Sequence, residues 1–430
     1  MPLIRAGERS ATRLPGLTSD RGVPRIAAWF ELGLDAAALL FFPLLVLVPR
    51  SIAPLVSAAG LCAAGVVLSA RGFRPRPALV RTAVVLACLL VWGTVSALWS
   101  EDPWRSLVLS ARLAGIFAAG LALIAAADRI AAPRRLMLSL LAGLALGIAM
   151  VLTELATHGA LGALVSERPY QAARLNQASV SFAILLPPVC AVLVSRGRAV
   201  FASMIAIVTV ATIYALAGTS AKAAVAVGLA LGFLLYVGQT RGARAAAVIS
   251  LVLIITAPLS FARFERLPGL TQTADEIKLS AGHRLLIWSF AGDRIAERPL
   301  AGWGLDSSRA IPGGKDPIRP GEDWLPLHPH NAPLQLWLEL GVPGAVLFAL
   351  LVAHTWCGLA AAPWPRLFAA ATGASLAIAL IASFTAYGIW QEWWLGTLWF
   401  TLFVILVMGH MAQQALCCAK RPRLACAPGR

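Results

Sequence analysis

His328-Pro329-His330-Asn331-Ala332-Pro333-Leu334-Gln335-Leu336-Trp337 ends the only long polar stretch of a chain that is otherwise a succession of apolar runs. Two imidazoles and an amide give way, within a few residues, to side chains that must pack or meet lipid. Asn331 is placed to cap a short helix through about Leu340, and Gly341-Val342-Pro343-Gly344 should break it before the next apolar run. The polar stretch itself covers about 262–333. Its basic residues, from Arg263 to Arg319, are matched by as many acidic ones, from Glu265 to Asp323. Within it, residues 281–298 read as an amphipathic helix, with Leu285, Trp288 and Ile295 at helical spacing and Pro299 ending the run. Loops this long are usually functional.

The rest of the chain is membrane. Of 430 residues, 59% are hydrophobic and 13% charged, with mean hydropathy +0.77, where a soluble domain carries roughly 25% charge. About 20 apolar residues cross a bilayer as a helix, because an open strand would leave backbone groups unpaired in lipid. Spans are expected near 27–48, 51–70, 79–98, 106–127, 135–156, 177–195, 199–217, 220–237, 245–261, 343–360, 366–384 and 390–412. The expected fold is therefore all-α: one polytopic membrane domain over 1–430, about twelve helices, and a loop region at 262–342 that forms part of the active site. No internal repeat and no cleavable signal peptide are evident; the first 25 residues are polar and dotted with arginine.

The net charge of +16 would suggest nucleic acid in a soluble protein. Here the arginines sit in every second connector and at both termini. Examples are Arg5 to Arg25, then Arg71 to Arg81, Arg129 to Arg135, Arg196 and Arg198, Arg241 and Arg244, Arg366, and Lys420 to Arg423. That is the positive-inside pattern, so both termini are expected in the cytoplasm. The long loop then faces outward, into the periplasm of a bacterium with an inner membrane, and nucleic-acid binding is set aside. Cys62, Cys88, Cys190 and Cys357 lie in apolar runs and Cys417, Cys418 and Cys426 in the basic tail; none lies in the loop, so no disulfide is expected there, and the tail spacing fits no zinc pattern.

His330 and His328 are the candidate chemical groups. Neutral histidine is the commonest general base near pH 7. The alternatives are a packing or capping role beside Asn331, or a metal pair completed by His283, Asp306 or Asp323. Three cations occupy otherwise sparse outer positions: Arg174 ahead of Asn176-Gln177, Lys222 in Gly218-Thr219-Ser220-Ala221-Lys222, and Arg284 on the amphipathic helix. Each has the bland alternative of reaching up to lipid headgroups. Cations and a histidine on one face suit a diphosphate-bearing substrate, whose growing leaving-group charge they would neutralise. No Asp-x-Asp occurs, which argues for transfer without a metal, and neither a Walker loop nor Gly-x-Gly-x-x-Gly is present, so ATP is not expected. A transporter would carry ionisable residues near the membrane midplane; only Glu31, Asp35 and Glu154 fit that description, with no partner evident for Asp35.

With these residues in place, the chain resembles the O-antigen ligase and polymerase superfamily. The resemblance rests on His330-Asn331 followed by Glu339-Leu340-Gly341-x-x-Gly344, on Arg284-x-x-x-Trp288, on Arg298-Pro299-Leu300-Ala301-Gly302-Trp303-Gly304, on Thr219-Ser220-Ala221-Lys222 and on Arg174-x-Asn176. It covers roughly 170–350 by motif. It implies a metal-independent, inverting glycosyltransferase with no cofactor. The donor would be an undecaprenyl-diphosphate-linked glycan and, for a ligase, the acceptor a hydroxyl of the lipid A–core. His330 would be the base; Arg174, Lys222 and Arg284 would hold the diphosphate; His328, Asn331 and Asn176 would support them. Lys222 departs from the usual arginine and loses its fork. Polymerases of the family commonly carry two sizeable outer loops with Arg-x10-Gly motifs. Neither Arg174 nor Arg284 has glycine at that spacing, which favours a ligase over a polymerase or a protein-glycosylating member.

Overall fold

The computed structural model describes residues 25–70, 72–165 and 170–420. The basic N-terminal arm and Arg421 onward, with Cys426, lie outside them, as do the side chains of Cys417 and Cys418. Helices α1 (Arg25–Leu47) and α2 (Ile52–Ser69) are joined by a tight turn at Pro49–Ser51. The next three, α3 (Pro77–Val95), α4 (Pro103–Ala126) and α5 (Pro133–Ala156), each begin on a proline. At that position a missing N–H costs nothing and the fixed φ already suits the helix. Asp102 caps α4 by accepting the Arg105 N–H at 3.0 Å. A single turn, α6 (Ala160–Ala163), precedes α7 (Asn176–Ser195) and α8 (Ala199–Ala215).

Helix α9 (Thr219–Ile255) is two antiparallel pieces. Gln239 takes a left-handed φ of 48°, and Gly242 packs back against Leu235. Then come α10 (Leu270–Ile277) and α11 (Leu279–Glu297), a small antiparallel pair β1 (Pro317–Arg319) and β2 (Glu322–Asp323), and α12 (Ala332–Ala361), α13 (Arg366–Thr385) and α14 (Glu392–Lys420). Among the described residues ten helices are long and apolar enough to cross a membrane. The fold-back in α9 and the 17-residue apolar α8 account for the remaining two of the twelve apolar runs. The amphipathic helix expected at 281–298 is α11. The strand pair is a feature the sequence did not suggest.

The bundle has two distinct ends. At one, Arg76 pairs with Asp128 at 2.7 Å and Arg366 donates to the Tyr236 and Val237 carbonyls. At the other, the polar loop is tied down: Ser106 donates to the Leu305 carbonyl at 2.6 Å and Arg298 pairs with Glu101 at 3.5 Å. Trp29 and Trp104, exposed at opposite ends, suit the two headgroup zones. Between the ends, Phe41 stacks on Phe400 at 4.7 Å and Phe42 lies 5.1 Å from Phe182. A second core, containing Leu285, Trp288, Ile295, Trp303, Leu325, Leu334 and Leu338, folds the loop onto the start of α12.

The buried acids have structural partners, which corrects the expectation for Asp35. Arg135 reaches it from α5 and also lies 3.6 Å from Glu31. Glu31 accepts the Ala131 and Ala132 N–H groups at 2.8 and 3.2 Å. Glu154 accepts the N–H groups of Leu161 and Gly162 at the start of α6. Glu31 and Glu154 thus satisfy backbone donors at the approach to a helix, which helix geometry leaves orphaned, and Asp35 is met by a side chain.

Candidate active site

The site is built where the loop meets α12. Asn331 Oδ1 accepts the Leu334 N–H at 3.0 Å and starts the helix. Gly341, at φ 62° and ψ −153°, breaks it where the sequence places a break. Two glycine-bearing stretches clasp there. Trp303 N–H donates to the Leu338 carbonyl (2.9 Å), Gly304 N–H to the Glu339 carbonyl (2.8 Å), and Val342 N–H to the Pro299 carbonyl (3.1 Å). Gly302 and Gly341 both have left-handed φ, and a Cβ on either would stand about 2.5 Å from opposing backbone. Only glycine tolerates both demands at once.

Inside the clasp, Glu339 is fully buried and collects four donors. They are Asp306 N–H (2.7 Å), Ser308 Oγ–H, the Gln335 amide (3.0 Å) and Trp390 Nε1–H (2.6 Å). Gln335 in turn accepts the Ile389 N–H at 3.0 Å. One carboxylate thus ties α12, the 304–308 turn and the 386–391 loop together.

That last loop positions the histidine. His330 has a left-handed φ of 55°, and its Nδ1 lies 2.8 Å from the Ala386 carbonyl. A carbonyl can only accept, so Nδ1 carries the proton and Nε2 keeps its lone pair. The Trp288 indole N–H donates to the Pro329 carbonyl at 2.8 Å and fixes 328–330 on α11. Arg284 sits one turn before Trp288, on the same face, and is itself 3.4 Å from Ser220 of α9. His328 lies beside His330, ring centroids 4.2 Å apart, and its Nδ1 accepts the His330 N–H at 3.2 Å. The Gln391 amide is 3.1 Å from its Nε2, and the Gly388 backbone presses on its ring.

Burial and nearby cations hold both imidazoles neutral. Burial first, then Arg284 and His283, push His330 down to about 4, against a smaller upward pull from the Ala386 carbonyl. Burial, then His330, Arg309 and Arg284, push His328 down to about 3. Burial also drives the Tyr387 phenol well above its ordinary range, with Arg284 opposing, so its hydroxyl stays a donor. It donates to the Asn176 carbonyl at 3.1 Å. Asn176 packs against Gly218 at the mouth of α9.

His330, His328, Asn331, Arg284 and Asn176 therefore converge. Arg174 lies half-buried two residues before Asn176, on the turn Ala172–Leu175. Lys222 sits one turn into α9, with Nζ 5.8 Å from the Tyr214 ring, near Ser220 and without contact to the histidines. His283 Nε2 donates to the Asp323 carbonyl of the hairpin at 2.8 Å, since a carbonyl can only accept. Among the described residues no three His, Cys, Asp or Glu side chains gather as a metal set would. Glu339 stood in a motif without a role assigned from sequence. Tyr387, Trp390 and Gln391, from a connector more than fifty residues downstream of His330, carried no local signal at all.

A helical, multi-pass membrane protein with a folded polar loop that seats a neutral imidazole beside a buried guanidinium is the class these features define. Residues 180–349 match the family described as O-antigen ligase, in agreement with the resemblance carried by the motifs of that stretch. A protein of Rickettsia conorii, provisionally named a polysaccharide ligase, is 38% identical over 134 residues, 30% of this chain and 32% of that one. One of Rickettsia prowazekii, named in the same way, is 37% identical over 134 residues, 30% of this chain and 33% of its own length. The chain spans about a third of the length of these curated relatives.

Proposed function

We propose that this protein is an O-antigen ligase: a metal-independent, inverting glycosyltransferase that moves an undecaprenyl-diphosphate-linked glycan onto a lipid A–core hydroxyl. The observation that carries the reading is the His330–Ala386 contact, which leaves Nε2 as an acceptor beside Arg284. In the reaction, the acceptor hydroxyl gives its proton to Nε2 as its oxygen attacks the anomeric carbon. The bond from that carbon to the diphosphate oxygen breaks, the configuration inverts, and undecaprenyl diphosphate leaves. Arg284, Lys222 and Arg174 would balance the leaving charge. His328, Asn331 and Asn176 hold the frame. The arginine pattern of the connectors supports an inner-membrane protein with cytoplasmic termini and the site at the periplasmic face.

A polymerase or a protein O-oligosaccharyltransferase would use the same base. The missing Arg-x10-Gly spacing and the names of the relatives favour the ligase. Membrane extracts of a deletion strain separate the readings: long glycan stranded on the carrier lipid supports the ligase, and single repeat units there would replace it with a polymerase.

A further inference from the structure

The histidines have a second cationic flank. His330 feels Arg284 most strongly among the charged groups around it, whereas His328 feels Arg309 ahead of Arg284. The turn that carries Arg309 is bound through Asp306 and Ser308 to Glu339, whose partner Trp390 adjoins Gln391 at His328, whereas Arg284 is tied to Ser220 of α9. Arg309 lies 3.6 Å from Asp306, and Arg105 of α4 lies 3.4 Å from the other oxygen of the same carboxylate. Arg112 follows Arg105 on α4 by seven residues, so the two share a face about 10 Å apart along the axis. Arg112 pairs with Glu392 at 3.2 Å, and Glu392 directly follows Gln391, the residue that touches His328.

Two features mark this flank as more than a solvated surface. Arg112 lies within an apolar helix, yet its side chain is 63% exposed. It also sits at lipid-headgroup depth. Gly120 of α4 faces Trp399, and Gly396 faces Ile52, so Arg112 is level with the starts of α14 and α2, where the chain leaves the bilayer. Arg50, on the turn that packs against α14, is exposed at the same end. Three guanidiniums share two carboxylates, Asp306 and Glu392; the nearby Asp102 is committed to the cap of α4. At that depth a guanidinium meets phosphate oxygens, which its fork matches.

We propose that Arg105, Arg112 and Arg309 form a binding track for the phosphate-bearing headgroup of the acceptor lipid, opposite the flank assigned to the donor diphosphate. This inference rests on the ligase reading for the identity of the acceptor. On it, the two anionic lipids approach from opposite sides and their sugars meet at the imidazoles. Mixing two diphosphate-like headgroups in one cationic pocket would set like charges together; separate flanks avoid that.

The test measures binding without donor, so it does not depend on turnover. The full chain is placed in phosphatidylcholine nanodiscs. Its affinity is measured for a lipid A-type glycolipid with its headgroup phosphates, and for the same glycolipid after phosphatase treatment. The wild type should prefer the phosphorylated form by about ten-fold or more, the scale of one hydrogen bond to a charged group. Arg112→Gln with Arg309→Gln should abolish that preference, while Arg284→Gln should keep it. No preference in the wild type, a preference kept in the double variant, or an equal loss in Arg284→Gln would each overturn the proposal. Failure of the wild type to transfer glycan while the phosphate preference stands would overturn the ligase reading and leave the track in place. A misfolded double variant is recognised by lost binding of the phosphatase-treated lipid. Arg112→Lys then decides: it should weaken the preference, and an unchanged preference would overturn the track.

Discussion

His330 hangs from Ala386 by a 2.8 Å hydrogen bond that no neighbour in sequence could supply. The donor is on the loop before α12 and the acceptor on the connector between α13 and α14. The bond selects one tautomer and leaves the lone pair on Nε2.

Replacing His330 by alanine should leave insertion and folding intact and lower transfer by about 10²-fold or more, the usual worth of a general base. Asparagine is the sharper control, because it tolerates the left-handed backbone found at this position. Both are assayed with purified donor and acceptor. Wild-type rates in His330→Asn would remove the base assignment.

The pH profile should be flat through 6.5, because the imidazole stays neutral until about 4. Below 6.5 an exposed histidine would already be protonated; this one loses activity only near its lowered value. Stability has the same window: the unfolded chain takes up the proton first, so stability falls as pH drops from 6.5 toward 4. A bound diphosphate offsets Arg284, so the acid limb of kcat should lie at higher pH than that of kcat/KM. Arg284→Gln should shift the kcat/KM limb upward.

Lys222→Gln should raise the donor KM several-fold with little change in acceptor KM. Lys222→Arg should keep or improve the donor KM, since the fork suits a diphosphate better than a point charge. An unaffected donor KM in the glutamine variant would leave Lys222 as a headgroup contact beside Tyr214.

Activity should survive EDTA. Loss on chelation with recovery on adding a divalent ion would contradict transfer by histidine and cations alone.

Glu339→Ala should cost about 3 kcal/mol or more, because several buried donors lose their acceptor together. A detergent thermal melt reads this directly, and transfer should fall with it as the 386–391 loop loosens. Glu339→Gln, which keeps the shape, should lose less.

Much of this was legible beforehand, for local reasons. Apolar runs must be helices in lipid, so the membrane-spanning helices follow from hydropathy, including the reversal near Gln239 that separates two runs; the short α6 and α10 do not. The Asn331 cap and the Gly341 break depend on side chains within four residues. The amphipathic α11 showed its period and its proline stop. What was hidden is long-range: Arg135 reaching Asp35 from another helix, Glu339 gathering Trp390 and Ser308, and Ala386 accepting from His330. Such pairings obey no spacing rule, because they depend on how helices dock. The β1–β2 hairpin was hidden for another reason: five strand residues are too few to show alternation.

The glycine clasp has a consequence for biosynthesis. The chain is made in order, and Gly302 leaves the ribosome about forty residues ahead of its partner Gly341, which is roughly 2–8 s at ordinary elongation rates. During that interval the N–H groups of Trp303 and Gly304 and the Pro299 carbonyl lack the backbone partners that 338–342 supply. The loop region therefore cannot be completed until α12 is synthesised, and pulse-labelled nascent chains should remain protease-sensitive there until that moment.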